Sequence, residues 1–190
     1  MTLDSTSGAP SLNTNGRYFA IHPNVRVINA STLGVRSDIS ARFTGIYAKG
    51  GNSAGFYLLS GSFVLNNCIG RCTATADATA GIFLDRQAAA FTSSTNLGIG
   101  WNGLTVLNMG TTQLGYGYWH GCTRGVYTYG SSDVSLANSF IAVGPSSVGV
   151  WAGRGSYVYA SGRAAYNWAS TKWSPATTDT LGNNMGAITF

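Results

Sequence analysis

Glutamate is absent from the 190 residues, and lysine and glutamine occur only twice each, as Lys49, Lys172, Gln87 and Gln113. Straight-chain residues of this kind enter a helix at little entropic cost, so their scarcity excludes a helical bundle or a coiled coil. Charged residues make up only 9% of the chain, against about 25% in globular proteins. Disorder is excluded as well, because 44% of the residues are apolar and the net charge is only +5. No apolar run approaches the roughly 18 residues that a membrane helix needs. The opening Met1-Thr2-Leu3-Asp4-Ser5 lacks the cationic and apolar regions of a signal peptide. Cys68, Cys72 and Cys122 are too few, and odd in number, for a disulfide framework. They read as buried thiols, with a Cys68–Cys72 bridge or a metal pair as the alternatives. Neither His22 nor His120 stands at ligand spacing from two cysteines, so no metal site is expected, and no cofactor. The nine arginines are spread along the chain without a cluster, which argues against nucleic acid as a partner.

What the chain has is glycine, 26 residues, and aromatics, 12%. It also has a repeat. Gly55-Phe56-Tyr57-Leu58-Leu59-Ser60-Gly61-Ser62-Phe63-Val64-Leu65 aligns with Gly125-Val126-Tyr127-Thr128-Tyr129-Gly130-Ser131-Ser132-Asp133-Val134-Ser135 and with the segment from Gly149 to Tyr159. Weaker openings stand at Gly45-Ile46-Tyr47 and Gly81-Ile82-Phe83. From 81 to 125 is nearly two periods, as if one copy had decayed. A period in the twenties with strand-like contents is the mark of a solenoid. Each copy supplies a strand, a glycine or serine corner and a second strand. Alternation sends Val134 and Val158 inward and Asp133 and Tyr157 outward. One coil cannot bury its inward residues, whereas stacked coils can. Glycines suit corners that need positive φ, and Ser62, Ser132 and Ser156 suit a hydroxyl ladder between coils.

The expected fold is therefore all-β, a right-handed single-stranded parallel β-helix, with a β-sandwich or jelly roll as the alternative. Arg17–Ile21 and Val25–Ile28 read as strands, Asn102-Gly103 as a turn before the strand Leu104–Leu107, and Ala88-Ala89-Ala90 as a short helical corner. Residues 1–16 read as a flexible tether or anchor, 17–167 as about six coils, and 168–190 as a C-terminal cap, because an open solenoid end invites pairing.

The copies at 55, 125 and 149, in this glutamate-free and glycine-rich texture, resemble the parallel β-helices of bacteriophage tailspikes, tail fibres and head spikes, within the pectate-lyase-like group. The resemblance covers roughly residues 45–167. It implies a homotrimer on a virion surface, made in the host cytoplasm and attached through its N-terminal segment to an anchoring virion protein. It further implies host attachment through bacterial surface polysaccharide. The composition adds its own argument for a trimer, since few charges and many aromatics leave a β-rod with much apolar surface to cover.

Glycoside hydrolysis needs two carboxyl groups at a set separation. The candidates are Asp77, Asp85 and Asp133, but the repeat places Phe63 and Tyr157 at the positions equivalent to Asp133, so no acidic pair arises by stacking. Arg124 and Arg154 are the residues a lyase would use. A Ser–His–Asp triad lacks its G-x-S-x-G elbow. A binding protein, and not an enzyme, is the first expectation. A polysaccharide hydrolase or lyase is the second, and a structural virion spacer the third. The carbohydrate-binding candidates are Tyr118, Trp119, His120, Tyr127, Tyr129, Asp133, Trp151, Arg154, Tyr157 and Tyr159. Core packing is the competing role for each aromatic, and Trp101, Trp168 and Trp173 read as structural.

Overall fold

A computed structural model describes residues 2–4, 12–13, 20–21, 26–30, 32–76, 79–92, 96–114, 117–136, 140–160, 165–167, 171–175 and 187–189, with side chains described only between 32 and 159. The described residues form strands and corners, and every strand pairing is parallel. The chain winds as a β-solenoid with three strands per coil. One coil runs through Ala54–Leu59, Ser62–Asn66 and Ile69–Cys72, and the next through Ala80–Asp85, Ala89–Thr92 and Asn96–Ile99. The first strand of each coil stacks into a first face, the second into an eight-stranded second face and the third into a third face. The long strands Gly117–Tyr129 and Phe140–Ala152 run round the corner from third face to first, joining those two faces into a fourteen-stranded sheet.

The core follows from alternation. On the first face Val35, Phe56, Ile82, Leu104, Val126 and Val150 occupy one register position, and each is buried. On the second face Ala41, Phe63, Ala90, Thr112, Val134 and Val158 do the same. Val134 pairs directly with Val158, while Asp133 and Tyr157 point to solvent. Burying each large side chain contributes about 1.5–3 kcal/mol, available only because neighbouring rungs close over it. The third face brings Ala48, Gly70, Gly98 and Trp119 into one column. Trp119 is fully buried, and a Cβ on Gly98 would lie 2.7 Å from its ring. The small residues below are what admit the indole.

The structure corrects several local expectations. The decayed copy is Gly103-Leu104-Thr105, with threonine where the copies at 55, 81, 125 and 149 carry an aromatic, and Gly34-Val35-Arg36 is one more copy, with arginine there. Gly45 opens the third face instead, at a left-handed corner of φ 66°. The aligned copies also slip by one residue after the first corner. Asp133 stacks over Thr111, Thr111 over Ala89 and Ala89 over Ser62, so Phe63 is the counterpart of Val134 and points inward. The cause is a corner at Ser60-Gly61 that is one residue shorter than those at Arg86-Gln87, Asn108-Met109 and Gly130-Ser131. Ser132 and Ser156 are equivalent, but Ser62 is not. Their hydroxyls donate to Tyr129 O and Gly153 O inside their own turns, so they form no ladder between coils.

Ala89–Thr92 is a strand, because Ala88 and Ala90 fill a tight corner and an inward position and helix formation would break the ladder. Asn102-Gly103 begins the strand Asn102–Leu107, with the Asn102 amide donating to Thr79 O at 2.9 Å. The second face holds eight strands, seven of them within residues 17–167, where about six coils were expected. Rungs also occur in the segments expected to be tether and cap. Thr2–Asp4 and Leu12–Asn13 lie in the former, and Thr171–Pro175 and Ala187–Thr189 in the latter.

Candidate functional site

The outward position of the first face carries, rung by rung, Arg36, Tyr57, Phe83, Thr105, Tyr127 and Trp151. Parallel rungs lie about 4.8 Å apart, which is also a stacking distance for rings. The register therefore turns an aromatic repeated at one position into a stack. Tyr127 and Trp151 lie 4.7 Å apart with planes 26° from parallel. Tyr129, two residues along the same strand, joins them at 6.4 Å from Tyr127 and 6.1 Å from Trp151, with planes 9° and 22° away. All three are half-buried, so part of each ring meets water.

Two guanidinium groups frame the stack. Arg124 lies 4.9 Å from the Tyr127 ring centre and 5.7 Å from that of Trp151. Arg154 lies 4.8 Å from the ring of Tyr129. Such contacts hold a cation over the face of a ring. Arg154 itself sits in a left-handed corner with Gly155, at φ 46° and 67°. Gly153 beside it has no room for a side chain, because a Cβ would lie 2.5 Å from the Trp151 indole. The corner thus makes space for the ring that the strand presents.

Toward the other end the same column closes up. Tyr57 and Phe83 lie 4.9 Å apart at 50°, and Phe83 is buried. The Tyr57 hydroxyl donates to Asp85 Oδ2 at 3.3 Å, while Asn108 Nδ2 and Arg86 N donate to Asp85 Oδ1 at 2.6 and 2.8 Å. Burial, followed by the negative charge of Asp85, pushes the Tyr57 hydroxyl above its ordinary pKa. The Asp85 side chain, 10% exposed, is held by the corner of its own rung and of the next.

The other candidates fall elsewhere. Asp133, Tyr157 and Tyr159 are exposed on the second face. Asp133 stands between Thr111 and Tyr157 in a shallow cleft of about 230 Å³ lined also by Thr112, Gln113 and Ser135. Among the described residues no second carboxylate lines that cleft. Asp85 and Asp133 thus lie on different faces, and Asp77 lies outside the described residues. Trp119 is inside the core, and the side chains of Tyr118 and His120 lie outside the described residues. Tyr127, Tyr129, Trp151 and Arg154 are therefore the candidates brought together. Arg124 joins them as a residue absent from the expected binding set, and Tyr57 and Phe83 form a separate pair in the same column beyond Thr105. Their signal is position: Tyr57 and Phe83 are third in their copies, as Tyr127 is, and Arg124 immediately precedes its copy.

Among the described residues no group of three metal-ligating side chains gathers, and the three cysteines are buried free thiols. No protein-family model matches the chain, and no curated protein or solved structure matches it either.

Proposed function

We propose that this protein is a carbohydrate-binding β-helix of the spike or fibre kind, which attaches to surface polysaccharide without cleaving it. The observation that carries the reading is the stack of Tyr127, Trp151 and Tyr129 between Arg124 and Arg154. The C–H faces of a pyranose ring pack on aromatic rings. Guanidinium groups donate to sugar hydroxyls, and the half-exposed rings are rigid enough to bind at little entropic cost. Attachment to a bacterial surface, on a phage or phage-like particle, belongs to the same proposal through the resemblance of the repeats.

A glycan array identifies a bound polysaccharide, and titration with that glycan then compares variants. Trp151→Ala and Tyr127→Ala are expected to weaken binding about tenfold or more each, with circular dichroism unchanged. Tyr157→Ala, on another face, is expected to leave it unchanged. An array without a single bound glycan overturns the reading, as does full affinity in the Trp151 variant. Release of reducing ends or unsaturated products from the bound glycan overturns its non-catalytic part.

A further inference from the structure

The connections from the third face to the first are uneven. Three residues (51–53) join Gly50 to Ala54, seven (73–79) join Cys72 to Ala80, two (100–101) join Ile99 to Asn102, and none interrupts Gly117–Tyr129. The step between the long connection and the short ones leaves an open cleft of about 460 Å³, lined by Arg71, Thr73, Thr75, Trp101 and Thr123 with buried Cys72 at its edge. That is within the size range of small-molecule sites.

Its walls are fixed. Thr73 N donates to Gly50 O at 3.2 Å and Thr73 Oγ1 to Gly51 O at 3.1 Å. Thr79 Oγ1 donates to Ala76 O at 2.7 Å, tying down the far end of the long connection. Trp101 O accepts from Thr123 N at 2.9 Å and Arg124 N at 3.0 Å, which holds the half-buried indole on the short corner. The charge is one-sided. Arg71 is exposed in the lining, Lys49 is its register partner on the rung before, and no carboxylate lines the cleft among the described residues. Among the described residues the lining thus combines a tryptophan, an arginine and three threonines, with no carboxylate.

We propose that this cleft is a second ligand site, which takes a single sugar-sized ring bearing a carboxylate or phosphate. Trp101 provides the ring contact, Arg71 the charge-assisted donors and the threonines the hydroxyl contacts. The cleft shares no lining residue with the aromatic stack, although Arg124 of the stack directly follows Thr123 of the cleft.

Magnetic resonance titration tests it, with glucuronate and glucose 6-phosphate as probes and glucose as the neutral control. The acidic probes are expected to shift the Trp101 indole signal saturably, with glucose at least tenfold weaker. Arg71→Gln is expected to weaken the acidic probes about tenfold and leave glucose unchanged. Tyr127→Ala is expected to change neither. An Arg71→Gln variant with full affinity overturns the proposal. So does equal binding of glucose, an unmoved Trp101 signal, or loss of the acidic probes in the Tyr127 variant. Failure of Trp151→Ala to weaken polysaccharide binding bears on the aromatic stack alone and leaves this site standing.

Discussion

Cys68, Cys72 and Cys122 sit where rungs close over one another. Cys68 Sγ donates to Phe43 O at 3.4 Å and Cys122 Sγ to Gly98 O at 3.6 Å. Burial pushes Cys68 from the ordinary 9.0 to about 11 and Cys122 to about 12. Cys72 moves in the same direction for the same reason. The fold thus favours the protonated thiols. A pKa raised in the folded state adds stability that is whole below pH 9 and is lost as pH rises toward 11 and 12, on the order of a few kcal/mol in all. Chemical unfolding between pH 8 and 11.5 is expected to show that loss, and a thiol reagent at pH 8 to modify the three cysteines only on unfolding. Rapid labelling of the native protein would place the thiols at the surface. Composition foretold buried thiols. It did not foretell Asp85, which counted as a catalytic candidate by residue type alone. Its role as a clamp depends on Tyr57, 28 residues away, and Asn108, 23 residues away.

At the scale of the strand and corner, glycine has two separate jobs. Gly34, Gly55, Gly81 and Gly103 share a register position, and none of them needs positive φ. They are there because atoms of the third face and of the adjacent first-face rung pass too close for a side chain. A Cβ on Gly81 would meet Ile99 N at 2.5 Å, Gly70 O at 2.6 Å and Gly98 Cα at 2.8 Å. No flexible side chain is present to yield, so Gly81→Ala is expected to cost about 3 kcal/mol in denaturant unfolding. Gly100→Ala, whose nearest approach is 3.1 Å, is expected to cost less, and an equal cost would count against the close-approach argument.

The left-handed corners do the other job, and glycine is not obligatory there. Arg86-Gln87 and Asn108-Met109 both adopt positive φ, at about 1 kcal/mol or more per residue. Hydrogen bonds to the next rung offset that cost: Gln87 N donates to Asn108 O at 3.1 Å, Asn108 N to Tyr129 O at 3.2 Å and Met109 N to Gly130 O at 2.9 Å. A corner that looks unfavourable alone is held by the corner above it. The glycine at the head of each copy was visible in the sequence, but its reason was not, because the crowding atoms come from other strands of the same coil and of its neighbours.

The whole molecule is a stack whose faces differ in chemistry. The first bears the aromatic column and the second exposes Tyr157 and Tyr159, at 39% and 43%. Association of three copies side by side is part of the proposed spike reading. Light scattering at micromolar concentration is expected to give a mass close to three times 19.8 kDa. A monomeric mass would remove the trimer and leave the aromatic face as a single-chain binding surface.

The sequence alone determined the class of fold. Scarce helix formers, the spacing of Gly125 and Gly149 and the alternation around Val134 and Val158 are local or periodic signals, and a parallel stack converts periodicity directly into contact. Tertiary structure decided which aromatics meet. A one-residue change in a corner moves the side chains of the strand that follows it by one register position, so the slip at Ser60-Gly61 decides which second-face residues share a column with Asp133. The order of corners puts Tyr127 and Trp151 on one face and Tyr157 on another, although all three belong to the same aligned repeat. The seven-residue connection after Cys72 likewise makes a cleft only because its neighbours in space, and not in sequence, are short.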